Sequence, residues 1–309
     1  MDHKNGSIVT EFILIGFSGG WELQIFCFVI FSLIYCATVV GNILIIITVI
    51  FSSSLHSPMY FLLGHLSFLD MCLSSATTPK MITNLLTEHK MISVWGCMTQ
   101  MFFMHFFGGA EMTLLIVMAF DRYVAICKPL HYRAIMNPRL VSRFLIISWI
   151  VGFLHTMSQM VLTVNLPFCG YNVVDNIFCD LPVVIKLACV ETYILELFVI
   201  ADSGLLSLIC FILLLVSYTI ILATVQQKSS GGLPKALSTL SAHIIVVTLF
   251  FGPCILIYAW PFSSFTSNKT LAVFYTVITP LLNPIIYTLR NQKMQEAMRK
   301  LHLHHISCI

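Results

Sequence analysis

The stretch EMTLLIVMAFDRYVAIC, Glu111 to Cys127, runs an apolar segment straight into an acid and a base side by side, Asp121 and Arg122. Such a run is either a buried soluble helix or a membrane crossing, and composition decides between them. The chain has 309 residues, 58% hydrophobic and only 9% charged. Soluble domains carry about a quarter charged residues. A soluble core of this length cannot hide so much apolar surface. Lipid is therefore the solvent for most of the chain, and Asp121–Arg122 marks the point where a helix leaves it.

A bilayer core takes about 20 apolar residues of helix. Working outward from the opening stretch, seven segments qualify: Leu23–Ile50, Pro58–Leu86, Trp95–Phe120, Phe144–Leu166, Leu197–Val225, Ala242–Phe262 and Leu271–Leu289. The expected fold is an all-α, seven-helix transmembrane bundle. Residues 1–22 form an N-terminal segment, 23–289 the helical domain with its loops, and 290–309 a tail. No internal repeat or low-complexity tract stands out, so the chain reads as one domain. The first twenty residues lack a basic start followed by a long apolar block, so the first span is expected to act as its own membrane signal.

Seven spans put the termini on opposite sides, and lysine and arginine choose the side. With the N-terminus outside, the cytoplasmic side holds Arg122, Lys128, Arg133, Arg139, Arg143, Lys228, Lys235, Arg290, Lys293, Arg299 and Lys300, eleven of the 16 basic residues. The acids lean the other way. The sequence thus predicts N-out, C-in. Of two glycosylation sequons, NGS at Asn5 and NKT at Asn268, this orientation puts both outside, with Asn5 the better acceptor. Four of the 11 cysteines, Cys97, Cys169, Cys179 and Cys189, fall on the outer, disulfide-permissive side. Four cysteines allow three connectivities. The other cysteines read as small apolar filler. Metal-finger spacing is absent, no cofactor is implied, and nothing points to nucleic acid.

DRY at the end of a third helix in such a topology resembles the rhodopsin-like G-protein-coupled receptors. Within them the chain resembles the olfactory (odorant) receptors. The resemblance rests on LHSPMYFLLGHLSFLD (Leu55–Asp70), MAFDRYVAICKPLHY (Met118–Tyr132), SY (Ser217–Tyr218), KALSTLSAH (Lys235–His243) and PLLNPIIYTLRN (Pro280–Asn291). The chain departs from the family pattern at Phe120, Leu240 and Phe251 and in the loop sequence NIFCD, Asn176–Asp180. The resemblance implies a multi-pass plasma-membrane receptor. It would bind a small volatile organic ligand in the outer half of the bundle and activate the heterotrimeric stimulatory olfactory G protein, raising cyclic AMP. It also implies disulfides Cys97–Cys179 and Cys169–Cys189, and a lid over the ligand built from Pro167–Glu196. Asp121 and Arg122 become a latch: Arg122 is held by Asp121 at rest and freed toward the G protein, with Tyr218 and Tyr287 stabilising the opened state.

Physical reading of the remaining polar residues adds detail. Intramembrane acids face the bundle interior and need partners. Asp70 is expected in a polar network with Asn42, Ser74, Asn283 and Glu111, although a protonated core acid is an equal reading for Glu111. Gly252, Pro253, Pro280 and Pro284 permit kinks in the last two spans. A candidate ligand cavity follows from residues at three- and four-residue spacing. These are Met104, His105, Gly108, Gly109 and Met112 on the third helix, where the glycines open volume. The fifth adds Val199, Asp202, Ser203 and Leu206, the sixth Phe251, Ile255, Tyr258 and Ala259, and the seventh Thr276 and Thr279. Asp202 either meets a polar ligand or pairs with His105 or His155. Those two histidines also raise a copper site, against the plainer reading of packed, hydrogen-bonded groups. A retinal protein is excluded, because the last span has no lysine for a Schiff base. Paired broken helices of a transporter and nucleophile–base signatures of an enzyme are absent.

Overall fold

The computed structural model describes residues 9–17, 19–228, 233–259, 268–289 and 291–306. It is a helical bundle. The spanning helices are α1 (Trp21–Phe51), α2 (Pro58–Leu86), α3 (Val94–Cys127) and α5 (Pro138–Thr163), the last two separated by the short α4 (Tyr132–Ile135). A fifth crossing is continuous through α7 (Tyr193–Val199), a π-helical turn at Ile200–Leu205 and α8 (Leu206–Lys228). The sixth is α9 (Leu233–Tyr258). The seventh runs through α10 (Asn268–Val273), a π-helical turn at Phe274–Ile278 and α11 (Thr279–Leu289), and is followed by α12 (Gln292–Ile306). Six of these are long and apolar enough to cross a membrane, and α9 contributes the shorter apolar stretch His243–Tyr258. Helix is the form expected, because hydrocarbon offers backbone groups no partner but each other.

The bundle is polar inside and apolar outside. Asn42, Asp70, Glu111, Asp121 and Asn283 are buried, whereas Leu33 and Val161 are 63% and 62% exposed. Water would penalise that distribution, and lipid favours it. Helix approach is set by small residues. A Cβ on Gly152 of α5 would sit 2.6 Å from the Phe106 carbonyl and 2.7 Å from the Ala110 nitrogen of α3. A Cβ on Gly204 would sit 2.7 Å from the Ala259 Cα. Both crossings therefore need glycine.

Several boundaries differ from the sequence expectation, among them the start of α9, which lies at Leu233 rather than Ala242. Helix α3 continues past Asp121 and Arg122 to Cys127, so the acid–base pair sits within the helix rather than at its end. Helix α5 begins at Pro138, six residues earlier than expected, because Asn137 caps it by accepting from the Leu140 N–H at 3.0 Å and proline suits the first turn. The fifth crossing begins at Tyr193 rather than Leu197.

One end of the bundle is closed by a lid. Strand β1 (Glu11–Leu14) lies between β2 (Met91–Ser93), antiparallel, and β3 (Val173–Val174), parallel. The lid continues into α6 (Leu181–Ile185) and is tied by disulfides Cys97–Cys179 and Cys169–Cys189, whose Cα separations are 5.4 and 5.8 Å. Phe12 of β1 is fully buried edge-on against Phe168, with ring centroids 5.1 Å apart. The turn after Cys169 uses Gly170 at φ 88°, a conformation glycine adopts without strain.

Candidate functional site

Beneath the lid is a small cavity. It is lined from α3 by Met104, His105, Gly108, Gly109 and Met112, from α5 by His155, and from the fifth crossing by Ser203. Helix α9 adds Phe250, Cys254 and Tyr258, and the seventh crossing adds Tyr275. Its volume is about 30 Å³, room for about two water molecules, whereas small-ligand sites run to about 300–1,000 Å³. A ligand of ordinary size would have to displace side chains to enter it. Met104 and Met112 have the conformational freedom to yield.

The structure brings together seven of the expected ligand-site residues and leaves the rest elsewhere. Gly108 has open space at its Cβ position, whereas Gly109 faces Gly152 at 3.1 Å and serves helix approach more than volume. Phe251 is fully buried against Phe211 and Phe250, and Phe250 takes the cavity position instead. Ala259 packs on Gly204. Thr276 and Thr279 spend their hydroxyls on their own helix, donating to Ala272 O at 2.7 Å and Phe274 O at 2.9 Å. Leu206 and Ile255 are half-buried and off the cavity. His155, Cys254, Phe250 and Tyr275 were not expected there. Their helices were recognised, but the rotation of each helix is fixed by packing that periodicity alone does not set.

Asp202 also lies off the cavity. Its Oδ2 accepts from Gln159 Nε2 at 2.9 Å and Ser158 Oγ at 3.2 Å. It also lies 3.1 Å from His155 Nδ1, off the line of a hydrogen bond. Of the two histidines, His155 is the one that meets it. Among the described residues no group of three His, Cys, Asp or Glu side chains is placed to hold a metal.

The lid reaches the cavity through one carboxylate. Asp180, 1% exposed, accepts from the Leu181 N–H at 2.8 Å and from the Tyr258 hydroxyl at 2.9 Å. The Tyr258 and Tyr275 hydroxyls are 3.3 Å apart. Burial pushes the Asp180 carboxyl up to about 6, with the Tyr258 hydroxyl and the Leu181 N–H pulling the other way. The fold therefore favours the protonated lid. That contribution is full below the ordinary value of 3.8 and is lost as pH rises through about 6. The full difference corresponds to about 3 kcal/mol. The lid should thus resist proteolysis better at pH 5 than at pH 7.5, and Asp180→Asn should flatten the difference. A pH-independent wild type would contradict this.

A polar column runs below the cavity. Asn283 Nδ2 donates to both oxygens of Asp70, at 2.9 and 2.8 Å, and Glu111 adjoins Asp70. Asn42 does not join Asp70 but donates to Thr38 O and Pro280 O at 2.9 and 3.1 Å. Ser74 pairs instead with Thr78 at 3.3 Å.

At the far end the expected Asp121–Arg122 latch takes another form. The Tyr132 hydroxyl donates to Asp121 Oδ1 at 2.7 Å, and among the described residues no Asp121–Arg122 ion pair forms within 4 Å. Burial and this hydrogen bond push the Tyr132 phenol up. Arg122 interacts electrostatically with buried Tyr218 and His243. Asn5 and the Tyr287 side chain lie outside the described residues. A larger groove of about 420 Å³, lined by Leu55, His56, Pro58 and Val141 among others, lies at this end, away from the lid. It is open-sided and touches neither the lid nor the polar column.

The comparisons with known proteins agree with one another. A family model described as olfactory receptor matches residues 31–305. Olfactory receptor 4L1 of Homo sapiens is 78% identical, covering 99% of this chain and 98% of its own length. Human olfactory receptor 4K3 is 64% identical over 98% of this chain and 96% of its own. Human olfactory receptor 4K13 is 60% identical over 97% and 99%.

Proposed function

This chain belongs to the olfactory receptor family, and from that premise we propose that it is a plasma-membrane receptor for a small volatile organic ligand, coupled to the heterotrimeric stimulatory olfactory G protein and raising cyclic AMP. It is a multi-pass membrane protein and not an enzyme. The N-terminus and lid face outside, and residues 290–309 face the cytosol. The basic-residue asymmetry supports that orientation, as does the clustering of both disulfides at the end it places in the oxidising compartment. Asn5 then lies where it can be glycosylated.

One observation carries the reading: a small cavity, lined from five of the seven crossings, under a lid whose Asp180 grips Tyr258 of α9. A ligand that enlarges this cavity binds the enlarged state better, and only such a difference shifts a population. Helix α9 carries Pro253 at cavity level, and proline interrupts the helical ladder. Pressure from the cavity on Tyr258 and Cys254 is thereby converted into a swing of the opposite end of α9. That end carries His243 beside Arg122. Asp121, Arg122, Tyr218 and Tyr287 form the switch that this motion trips, and the Asp70–Asn283–Glu111 column links the two ends.

Because Tyr132 holds Asp121 in the resting state, Tyr132→Phe should raise ligand-independent cyclic AMP by up to about fivefold, the equivalent of one hydrogen bond. Unchanged basal signalling at matched surface expression would place that bond outside the switch. The function itself is tested by energy transfer between the receptor and a labelled stimulatory G protein during challenge with an odorant panel. Dose-dependent transfer is expected. Its absence in a well-expressed receptor, across a broad panel, would reject the assignment.

A further inference from the structure

The cavity contains a polar atom that nothing satisfies. His105 is 6% exposed and lines the cavity. Its Nδ1 lies 2.9 Å from the Met101 carbonyl oxygen. A carbonyl only accepts, so Nδ1 carries the hydrogen. The neutral ring then presents a bare lone pair at Nε2. That atom is buried and has no partner. A buried acceptor left unsatisfied is costly.

The other polar groups each face a neighbour. Tyr258 donates to Asp180. Tyr275 is placed between Tyr258 and the Met104 sulfur. His155 faces Asp202 on one side and Gln159 on the other. Ser203 does too, but its Oγ accepts from Gln159 Nε2 at 2.6 Å, which leaves its own hydrogen available. The cavity therefore offers one unused acceptor, His105 Nε2, and one usable donor, the Ser203 hydroxyl, in surroundings otherwise made of thioether, thiol and aromatic side chains.

We propose that the ligand is a neutral hydroxyl compound, an alcohol or phenol with an apolar body, whose O–H donates to His105 Nε2 while its oxygen accepts from Ser203. A hydroxyl group both donates and accepts. Ethers, ketones and esters accept only, and would leave Nε2 unsatisfied. An ionised carboxylate or ammonium would carry a charge into a site with no counter-ion to spare. Water fits the cavity and can serve Nε2 in the resting state; a ligand hydroxyl reproduces that bond and adds apolar burial.

This inference rests on the receptor reading above, and its test separates the two. Full-length receptor in cells with a cyclic-AMP reporter is challenged with aliphatic alcohols and phenols, and with the methyl ether, ketone and acetate ester of each carbon skeleton. Wild type should respond to the hydroxyl compounds at an EC50 about tenfold or more below that of their ethers. His105→Phe, similar in size but without an acceptor, should bring that ratio near one. His105→Gln, which restores an acceptor, should recover part of it. Should His105→Phe fail to reach the surface, the wild-type ranking and His105→Gln decide. Ethers, ketones or esters matching the alcohols in wild type would overturn the proposal, as would an alcohol preference that survives His105→Phe. In either case the receptor reading would stand. Silence toward every class, despite surface staining, would count against the receptor reading itself and take the proposal with it.

Discussion

Gly152→Val should remove most of the protein from the cell surface. A Cβ at this position meets backbone, the Phe106 carbonyl at 2.6 Å and the Ala110 nitrogen at 2.7 Å. Backbone cannot rotate aside as a side chain can, so α3 and α5 must separate. Overpacking of this kind costs about 1–3 kcal/mol in soluble cores. In a membrane bundle close approach is itself the source of association, so the loss compounds. Separation of these helices would also pull His155 away from His105, whose rings are 6.3 Å apart across the crossing. Gly108→Ala is the matched comparison, because nothing lies within 4 Å of its Cβ position. It should reach the surface normally while altering ligand response. Flow cytometry of an epitope-tagged receptor reads both. Equal surface staining for the two variants would refute the assigned crossing geometry.

The second large effect belongs to the lid. Cys179→Ser breaks the bridge to Cys97, which spans 82 residues. Loss of a structural disulfide typically costs about 2–5 kcal/mol, more for longer loops in the chain-entropy account. The cost here is also local. Cys179 sits beside Asp180 and donates its backbone N–H to Gln100 Oε1 at 2.9 Å, so releasing it frees the lid from both α3 and α9. Surface expression should fall sharply, and the remaining protein should respond to ligand weakly or not at all. Cys169→Ser, whose bridge spans 20 residues within the lid, should cost less. The reverse order, measured by surface staining and ligand response, would contradict the view that the lid acts through its attachment to α3.

Much of the fold was legible because the signal was coarse. Apolar runs of spanning length, with buried acids at Asp70 and Glu111, are enough to place helices and to say that these acids face inward. What the sequence could not place was set by contacts between distant segments. Strand β1 is four residues, EFIL, and exists only because β2 and β3 flank it. Phe250, not Phe251, faces the cavity, one residue and about 100° of helix away from the expectation. That rotation is fixed by how α9 packs around Phe211 and Gly204, not by its own periodicity. Tyr132 falls within a recognisable motif, but its role is not legible there, because its link to Asp121 depends on how the loop folds back on α3. Asp202 was legible as an anomaly, an acid within a span, yet only the neighbouring α5 identifies its partner as His155.

The central claim is that ligand binding under the lid is read out at Arg122. The most direct test is a cyclic-AMP dose–response to a broad odorant panel, run on wild type and on Arg122→Ala at matched surface density. The account predicts a saturable response in wild type that is abolished in Arg122→Ala. A response of equal size in the variant would contradict it, since signal would then reach the G protein without the residue on which the switch is built.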